Sequence, residues 1–195
     1  MYKRQYLNRS ELVNRNISTV VNNLIEGAVI VFLVLILFLG NLRAGLIVAS
    51  VIPLAMLFAF IMMRVFNVTA NLMSLGAIDF GIVVDGSIVI LEGILAHIYG
   101  KQFRGRTLTR KEMDKEVEKG ASGVTRSATF AVLIILIVFF PILTLNGIEG
   151  KYFTPMAKTL VFCIIGALIL SLTYVPMMAS LFLKHTIVVK PTLAD

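Results

Sequence analysis

The sequence predicts an all-α fold, a polytopic bundle of five membrane-spanning helices. Its 195 residues are 58% hydrophobic and 15% charged, whereas soluble domains are about 45–50% apolar and about 25% charged. Five apolar segments approach the roughly 20 residues that a spanning helix requires. They cover residues 24–40, 44–63, 71–98, 128–145 and 160–183. Runs of this length exceed ordinary β-strands, so we expect helices throughout.

Each apolar segment has a local feature that bears on its placement. The first has a short uninterrupted core, residues 28–39, so we expect Glu26 at a membrane interface. The second, fourth and fifth contain Pro53, Pro141 and Pro176. Proline is tolerated inside spanning helices because neighbouring helices and local rearrangement satisfy the freed carbonyls. The third segment differs from the others because it carries three carboxylic acids.

The longest polar connection, residues 99–127, has eight Lys or Arg and four acids. Its middle mixes charges at helical spacing, which predicts a short amphipathic helix that lies along the membrane surface and ends at Gly120. Thr109 and Glu112 have the spacing of a capping box at its start. A role in binding nucleic acid or lipid headgroups is the alternative. The chain has a net charge of +7. In membrane proteins the surplus of Lys and Arg usually lies in cytoplasmic loops, so this charge does not require nucleic acid and we predict no nucleic-acid partner.

The distribution of basic residues predicts an external N-terminus and a cytoplasmic C-terminus, because that orientation places eleven of the eighteen Lys and Arg on the cytoplasmic face. An external N-terminus without a signal sequence indicates that further chain precedes Met1 in the natural protein. The predicted units are an external lead-in (1–23), three spans (24–98), a cytoplasmic loop (99–127), two spans (128–184) and a cytoplasmic tail (185–195).

The third span contains Asp79, Asp85 and Glu92. An Asp at the centre of a spanning helix costs roughly 2.5–3.5 kcal/mol on insertion scales, so acids in the membrane are functional candidates by default. Asp85 and Glu92 are seven residues apart, which places them on one face about 10 Å apart, whereas Asp79 points elsewhere. This staggered arrangement suits the passage of protons along the membrane normal better than the binding of one metal ion.

Small residues surround these acids. Gly76, Gly81 and Gly86 allow close approach of neighbouring helices, so we expect the acids to face the protein interior. A fixed ion pair with a basic residue is the alternative, but no Lys or Arg lies deep in another predicted span, so that partner would come from outside the chain. His97, beside the basic loop, is expected to be an interfacial polar residue rather than a ligand.

Other chemistry finds little support in the sequence. The single Cys163 excludes a disulfide framework within the chain. Adjacent methionines, at 62–63 and 177–178, point about 100° apart on a helix and cannot chelate one ion together. The chain has no HxxxH, CxxC or HExxH arrangement, no nucleotide-binding loop and no nucleophile–base pair. We therefore predict a protein that is not an enzyme and that holds no metal or cofactor of its own.

The stretch "NLMSLGAIDFGIVVDGSIVILE", with its DFGxxVDG motif, resembles the heavy-metal efflux branch of the resistance–nodulation–division transporters, the cobalt–zinc–cadmium efflux pump type. "LIEGAVIVFLVLILFLGNLRAGLIVASVIPLAMLFAF" resembles the preceding helix pair of that family, and "FFPILTLNGIEGKYFTPMAKT" resembles the turn between the last two helices. The resemblance extends over almost the whole chain. Gly93 and His97 depart from the family pattern at the cytoplasmic end of the acid-bearing span.

The resemblance implies a secondary transporter of the bacterial inner membrane, with twelve helices in two similar halves and large periplasmic regions. This chain would supply helices two to six of the first half. The family works as a homotrimer joined to a periplasmic adaptor and an outer-membrane channel, and it exchanges protons for divalent cations of the Zn, Co and Cd class. Asp79, Asp85 and Glu92 match the family's acids implicated in this coupling. A truncated or inactive remnant with a structural role, or part of an exporter of organic compounds, are the alternatives.

Overall fold

The computed structural model describes residues 9–68, 80–100 and 108–183. In these ranges the chain forms five α-helices and no β-strand, which confirms the predicted all-α fold. The helices are α1 (Arg9–Leu39), α2 (Leu42–Val65), α3 (Phe80–Ile98), α4 (Arg110–Leu143) and α5 (Gly147–Phe182).

Four of these helices, α2 to α5, are long and apolar enough to cross a membrane. The apolar part of α1, Ile25–Leu39, is shorter. Large apolar side chains are exposed on the outer faces of the helices, for example Leu37 at 82% and Ile137 at 69%. Such a surface is unfavourable in water and suits the hydrocarbon of a bilayer.

The helix α5 is the centre of the bundle, because it packs against α2, α3 and α4. The helix α3 also contacts α2 and α4, whereas α1 packs mainly against α2. One cluster of buried apolar residues joins the helices, including Val51 of α2, Leu91 of α3 and Val175 of α5. At one end of the bundle the Arg43 guanidinium donates a hydrogen bond of 3.1 Å to the Phe182 carbonyl, so the start of α2 is tied to the end of α5.

The separate surface helix predicted before the fourth span is wrong, because α4 runs without a break for 34 residues. The predicted capping box is confirmed: the Thr109 backbone N–H donates to Glu112 Oε2 at 2.9 Å. Gly120 does not end the helix. Together with Met113, Val117 and Ala121 it forms a buried stripe at helical spacing, so the amphipathic part packs on the bundle as the first third of α4.

The backbones of α3 and α4 approach each other closely at Gly120. A Cβ added there would lie 2.9 Å from the Ile94 Cα and 3.2 Å from the Gly93 carbonyl oxygen. Of the glycines predicted for helix packing, Gly86 is buried between α3 and its neighbours, but a Cβ there would meet Ser171 and Val132 at an ordinary 3.5 Å. Gly81 is partly buried, and Gly76 lies outside the described residues.

Gly120→Ala is therefore expected to destabilise the bundle by about 1–3 kcal/mol, because neither backbone can move away without loss of packing. Gly123→Ala is the matched control on the same helix, since a Cβ at Gly123 would meet nothing within 4 Å. Replacing an unhindered helical glycine with alanine stabilises by about 0.5–1 kcal/mol. Unfolding in detergent, followed by circular dichroism, measures both changes. Equal stability of the two variants would contradict the close α3–α4 contact.

Candidate functional site

The helix α3 has one exposed face. Its exposed residues are Asp85, Val89, Glu92 and Ala96, spaced by four, three and four, and we call them the open stripe. The other faces of α3 are largely buried against α2, α4 and α5. This confirms that Asp85 and Glu92 share a face. Within the described helices both acids are exposed rather than buried, and the expectation that they face the interior of the whole protein stays a prediction.

The small residues beside the acids explain this arrangement. Gly86 and Ser87 are buried, and successive residues on a helix lie about 100° apart, so their burial turns Asp85 outward. Small residues therefore lie on the buried side of α3, as Gly86 and Ser87 show, but the buried face and the acidic face differ. Asp79, the third predicted acid, lies outside the described residues.

The interior of the bundle contains few polar groups, and no charged side chain is buried in the described part of the chain. Ser50 Oγ donates to the Ile47 carbonyl at 2.6 Å and lies 2.9 Å from the Tyr174 hydroxyl, which joins α2 to α5. The Oγ atom of Ser87, by contrast, is fully buried and has no hydrogen-bond partner among the described residues. The alternative role for the acids was a fixed ion pair with a buried basic residue. The described helices bury no Lys, Arg or His that could form it.

A second ionisable cluster joins the end of α3 to the start of α4. His97 Nε2 lies 2.8 Å from Glu116 Oε2, and Lys119 Nζ donates to Glu116 Oε1 at 2.6 Å. The hydrogen bond from Lys119, followed by that from His97, lowers the pKa of the Glu116 carboxyl. The sequence placed His97 at the interface but did not predict this partner. Glu116 lies one turn from both Met113 and Gly120, which are buried. This spacing was the signal in the sequence that Glu116 lies near the packed face of α4.

Glu116→Gln is expected to destabilise the bundle at neutral pH, with a difference from the wild type that decreases in acid. The pKa of Glu116 is lower in the folded chain than its ordinary value of 4.5, so its stabilising contribution is present above that value and is lost as the pH falls through the lowered pKa. Thermal unfolding at a series of pH values measures this. Glu118→Gln, on the exposed side of α4, is the control. A difference that persists unchanged in acid would contradict the ionic role.

In the described residues, no three His, Cys, Asp or Glu side chains come together so that they could hold a metal ion. The open stripe carries two carboxylic acids, Asp85 and Glu92. Asp85 is the sixth residue and Glu92 the thirteenth of the 19 in α3, so both lie within a segment that is apolar enough to cross a membrane.

A bundle of apolar helices, four of which are long and apolar enough to cross a bilayer, indicates a multi-pass membrane protein. The chain belongs to the AcrB/AcrD/AcrF family, whose sequence model matches residues 1–191. It is 49% identical over 183 residues to the cobalt-zinc-cadmium resistance protein CzcA of Cupriavidus metallidurans, which covers 93% of this chain and 17% of that protein. It is 45% identical over 182 residues to the nickel and cobalt resistance protein CnrA of the same organism, with 93% and 17% covered.

A solved structure gives the same result. The crystal structure of a heavy metal efflux pump is 41% identical to the chain, with a TM-score of 0.76, and the match covers 90% of this chain and 17% of that one. The resemblance to the heavy-metal efflux branch is thereby confirmed. The chain spans about a sixth of the length of these relatives, since 17% of each is covered.

Proposed function

We propose that the chain is the transmembrane proton-relay part of a proton-driven efflux pump for heavy-metal cations. One observation carries this proposal: Asp85 and Glu92 lie on the open stripe of α3, a helix that is otherwise largely buried, and the described residues bury no charged side chain. Two acids spaced by two turns along a spanning helix are suited to take up protons at one level of the membrane and release them at another.

Protonation of Asp85 supplies the energy difference that the cycle needs. An ionised Asp at the centre of a span costs roughly 2.5–3.5 kcal/mol, and this cost is removed when the acid is neutral. A protein with two conformations, one of which buries the open stripe, would be shifted between them by about 100-fold when Asp85 binds a proton. The proton thus selects the conformation, and Asp85 is the group that senses it.

Glu92 is proposed to assist proton release toward the cytoplasm. It lies seven residues after Asp85, about 10 Å along the helix, which is too far for direct transfer. Val89 lies between the two acids on the open stripe and offers no proton-carrying group. Water between the stripe and the surface that covers it would complete the path. Asp79 is proposed to take part at the external end.

The substrate class is proposed from the relatives. Three relatives that are 44–49% identical are named for resistance to cobalt, zinc, cadmium or nickel, whereas the cation efflux system protein CusA of Escherichia coli is 32% identical. We therefore assign divalent cations of the Zn, Co and Cd class to the whole pump. The homotrimer, the periplasmic adaptor, the outer-membrane channel and the inner-membrane location belong to the same proposal.

A chimera tests this function. The chain replaces the segment that it matches in CzcA of Cupriavidus metallidurans, and the chimera is expressed in a strain that lacks its own exporters for these metals. We expect restored growth in Zn²⁺, Co²⁺ or Cd²⁺, and we expect a protonophore to abolish metal export from the cells. A chimera that inserts at normal levels and exports metal independently of the proton gradient would contradict the proposal.

A further inference from the structure

A cleft of about 460 Å³ lies at the end of the bundle opposite the His97–Glu116 cluster. It is formed by the turn after α2, the turn between α4 and α5, and the first three turns of α5. Its position is independent of the open stripe, because none of the described residues that line it belongs to α3. The proton relay therefore does not account for it.

The cleft is basic. Lys151 and Lys158 line it together with Thr154. Their spacing on α5 places the two ammonium-bearing side chains on one face about two turns apart, with the hydroxyl between them. No Asp or Glu is among the described residues that line the cleft, and neither lysine forms an ion pair within the described part of the chain. Glu149 of the first turn of α5 is exposed outside the cleft.

The wall that the turn after α2 forms is apolar apart from Asn67. Phe66 and Val68 line it, and the Phe66 ring stacks on Phe162 of α5 with 5.3 Å between the ring centroids. The surrounding surface exposes further large apolar side chains, namely Leu145, Ile148, Tyr152 and Phe153. Lys158 lies two residues before the predicted apolar segment that begins at residue 160, so the cleft is at the level where the apolar surface of α5 meets its polar start.

We propose that this cleft binds a phosphate group through Lys151 and Lys158. Ammonium groups are point charges that bind phosphate oxygens with charge-assisted hydrogen bonds, and the Thr154 hydroxyl can donate a further one. Free phosphate and the headgroup of a phospholipid share this chemistry. The apolar wall favours the phospholipid. Its glycerol and the first carbons of its acyl chains would cover Phe66, while its phosphate binds the two lysines.

The absence of tryptophan from the sequence allows a direct test. Phe66→Trp places a single fluorophore on the wall of the cleft, where it can keep the stacking on Phe162. The full chain is reconstituted in phosphatidylcholine bilayers and titrated with brominated phosphatidylglycerol or brominated phosphatidylcholine, which quench tryptophan on contact. A charge near the membrane surface contributes about a factor of five per Lys, so we expect phosphatidylglycerol to bind at least about tenfold more strongly.

Two double variants in the Phe66→Trp background decide whether the cleft is responsible. Lys151→Gln with Lys158→Gln is expected to remove the preference for phosphatidylglycerol. Lys111→Gln with Lys115→Gln removes the same amount of charge from the exposed side of α4, at the opposite end of the bundle. This double variant is expected to retain the preference for phosphatidylglycerol. Equal quenching by both lipids, or an equal loss in both double variants, would overturn the proposal. Circular dichroism confirms that each variant is folded.

The source of the phosphate is identified by competition. Inorganic phosphate is added to the bilayers that contain brominated phosphatidylglycerol, with chloride at the same ionic strength as the control. Recovery of fluorescence with phosphate alone would support the site and identify free phosphate as a ligand. No recovery, together with the preference for phosphatidylglycerol, would identify the phospholipid headgroup. This experiment does not depend on transport, so its result is separate from that of the growth test with the CzcA chimera.

Discussion

Asp85→Asn is expected to reduce proton-coupled metal export by about 100-fold or more in the CzcA chimera. Asparagine has nearly the same shape as aspartate but cannot bind or release a proton, so the cost of roughly 2.5–3.5 kcal/mol that distinguishes the two protonation states disappears. Insertion should be retained, because a neutral side chain is easier to place in a bilayer than a charged one. Proton uptake during export of Zn²⁺ from loaded proteoliposomes measures the effect.

Two control variants make this result specific to the titration of Asp85. Asp85→Glu keeps an acid on the open stripe and should retain partial coupling. Val89→Thr places a hydroxyl on the same exposed stripe without a titratable group and with little change of volume, and it should export at the wild-type rate. If Asp85→Asn exported metal with an undiminished proton flux, Asp85 would not be the proton carrier.

Glu92→Gln is expected to slow export by about tenfold without a change in the number of protons exchanged per metal ion. Glu92 lies two turns closer to the end of α3 than Asp85, and its proposed role is to assist proton release, whereas protonation of Asp85 is proposed to select the conformation. General acid–base assistance of this kind contributes about 100-fold or more when it is optimal, and water at an exposed position replaces part of it. The measurement is the export rate of the chimera with and without Glu92→Gln at a series of internal pH values.

Glu118→Gln is the control for this second variant, because it removes an exposed acid from the polar part of α4 and should leave the rate unchanged. A Glu92→Gln chimera with altered stoichiometry would assign Glu92 the role proposed for Asp85. A chimera with an unaltered rate at every pH would exclude Glu92 from the path.

The sequence predicted the helices because long apolar runs allow few other structures. The spacing of Asp85 and Glu92 predicted their shared face for a similar reason, since helical periodicity is local. What the acids face could not be read from spacing alone. Gly86 and Ser87 follow Asp85 in sequence, but they lie about 100° and about 200° around the helix from it and are on the buried side.

The errors in α4 have a different cause. Gly120 and the charged residues before it have the pattern of a surface helix that stops, and glycine is a common stop signal. In the structure Gly120 of α4 is in close contact with Ile94 of α3. Glu116 of α4 pairs with His97, which is also on α3. Both contacts are tertiary and join residues that are distant in the chain, so no local pattern specifies them.

The most direct test of the relay is the protonation state of Asp85 itself. Carboxyl infrared difference spectroscopy on the chain in lipid bilayers, with Asp85→Asn to assign the band, reports the neutral and ionised forms separately. We expect a band of the neutral acid that is lost and regained as the pH is varied within the physiological range, which is the behaviour of a group that carries protons. A carboxylate that stays ionised throughout this range would contradict the proton-carrier role of Asp85.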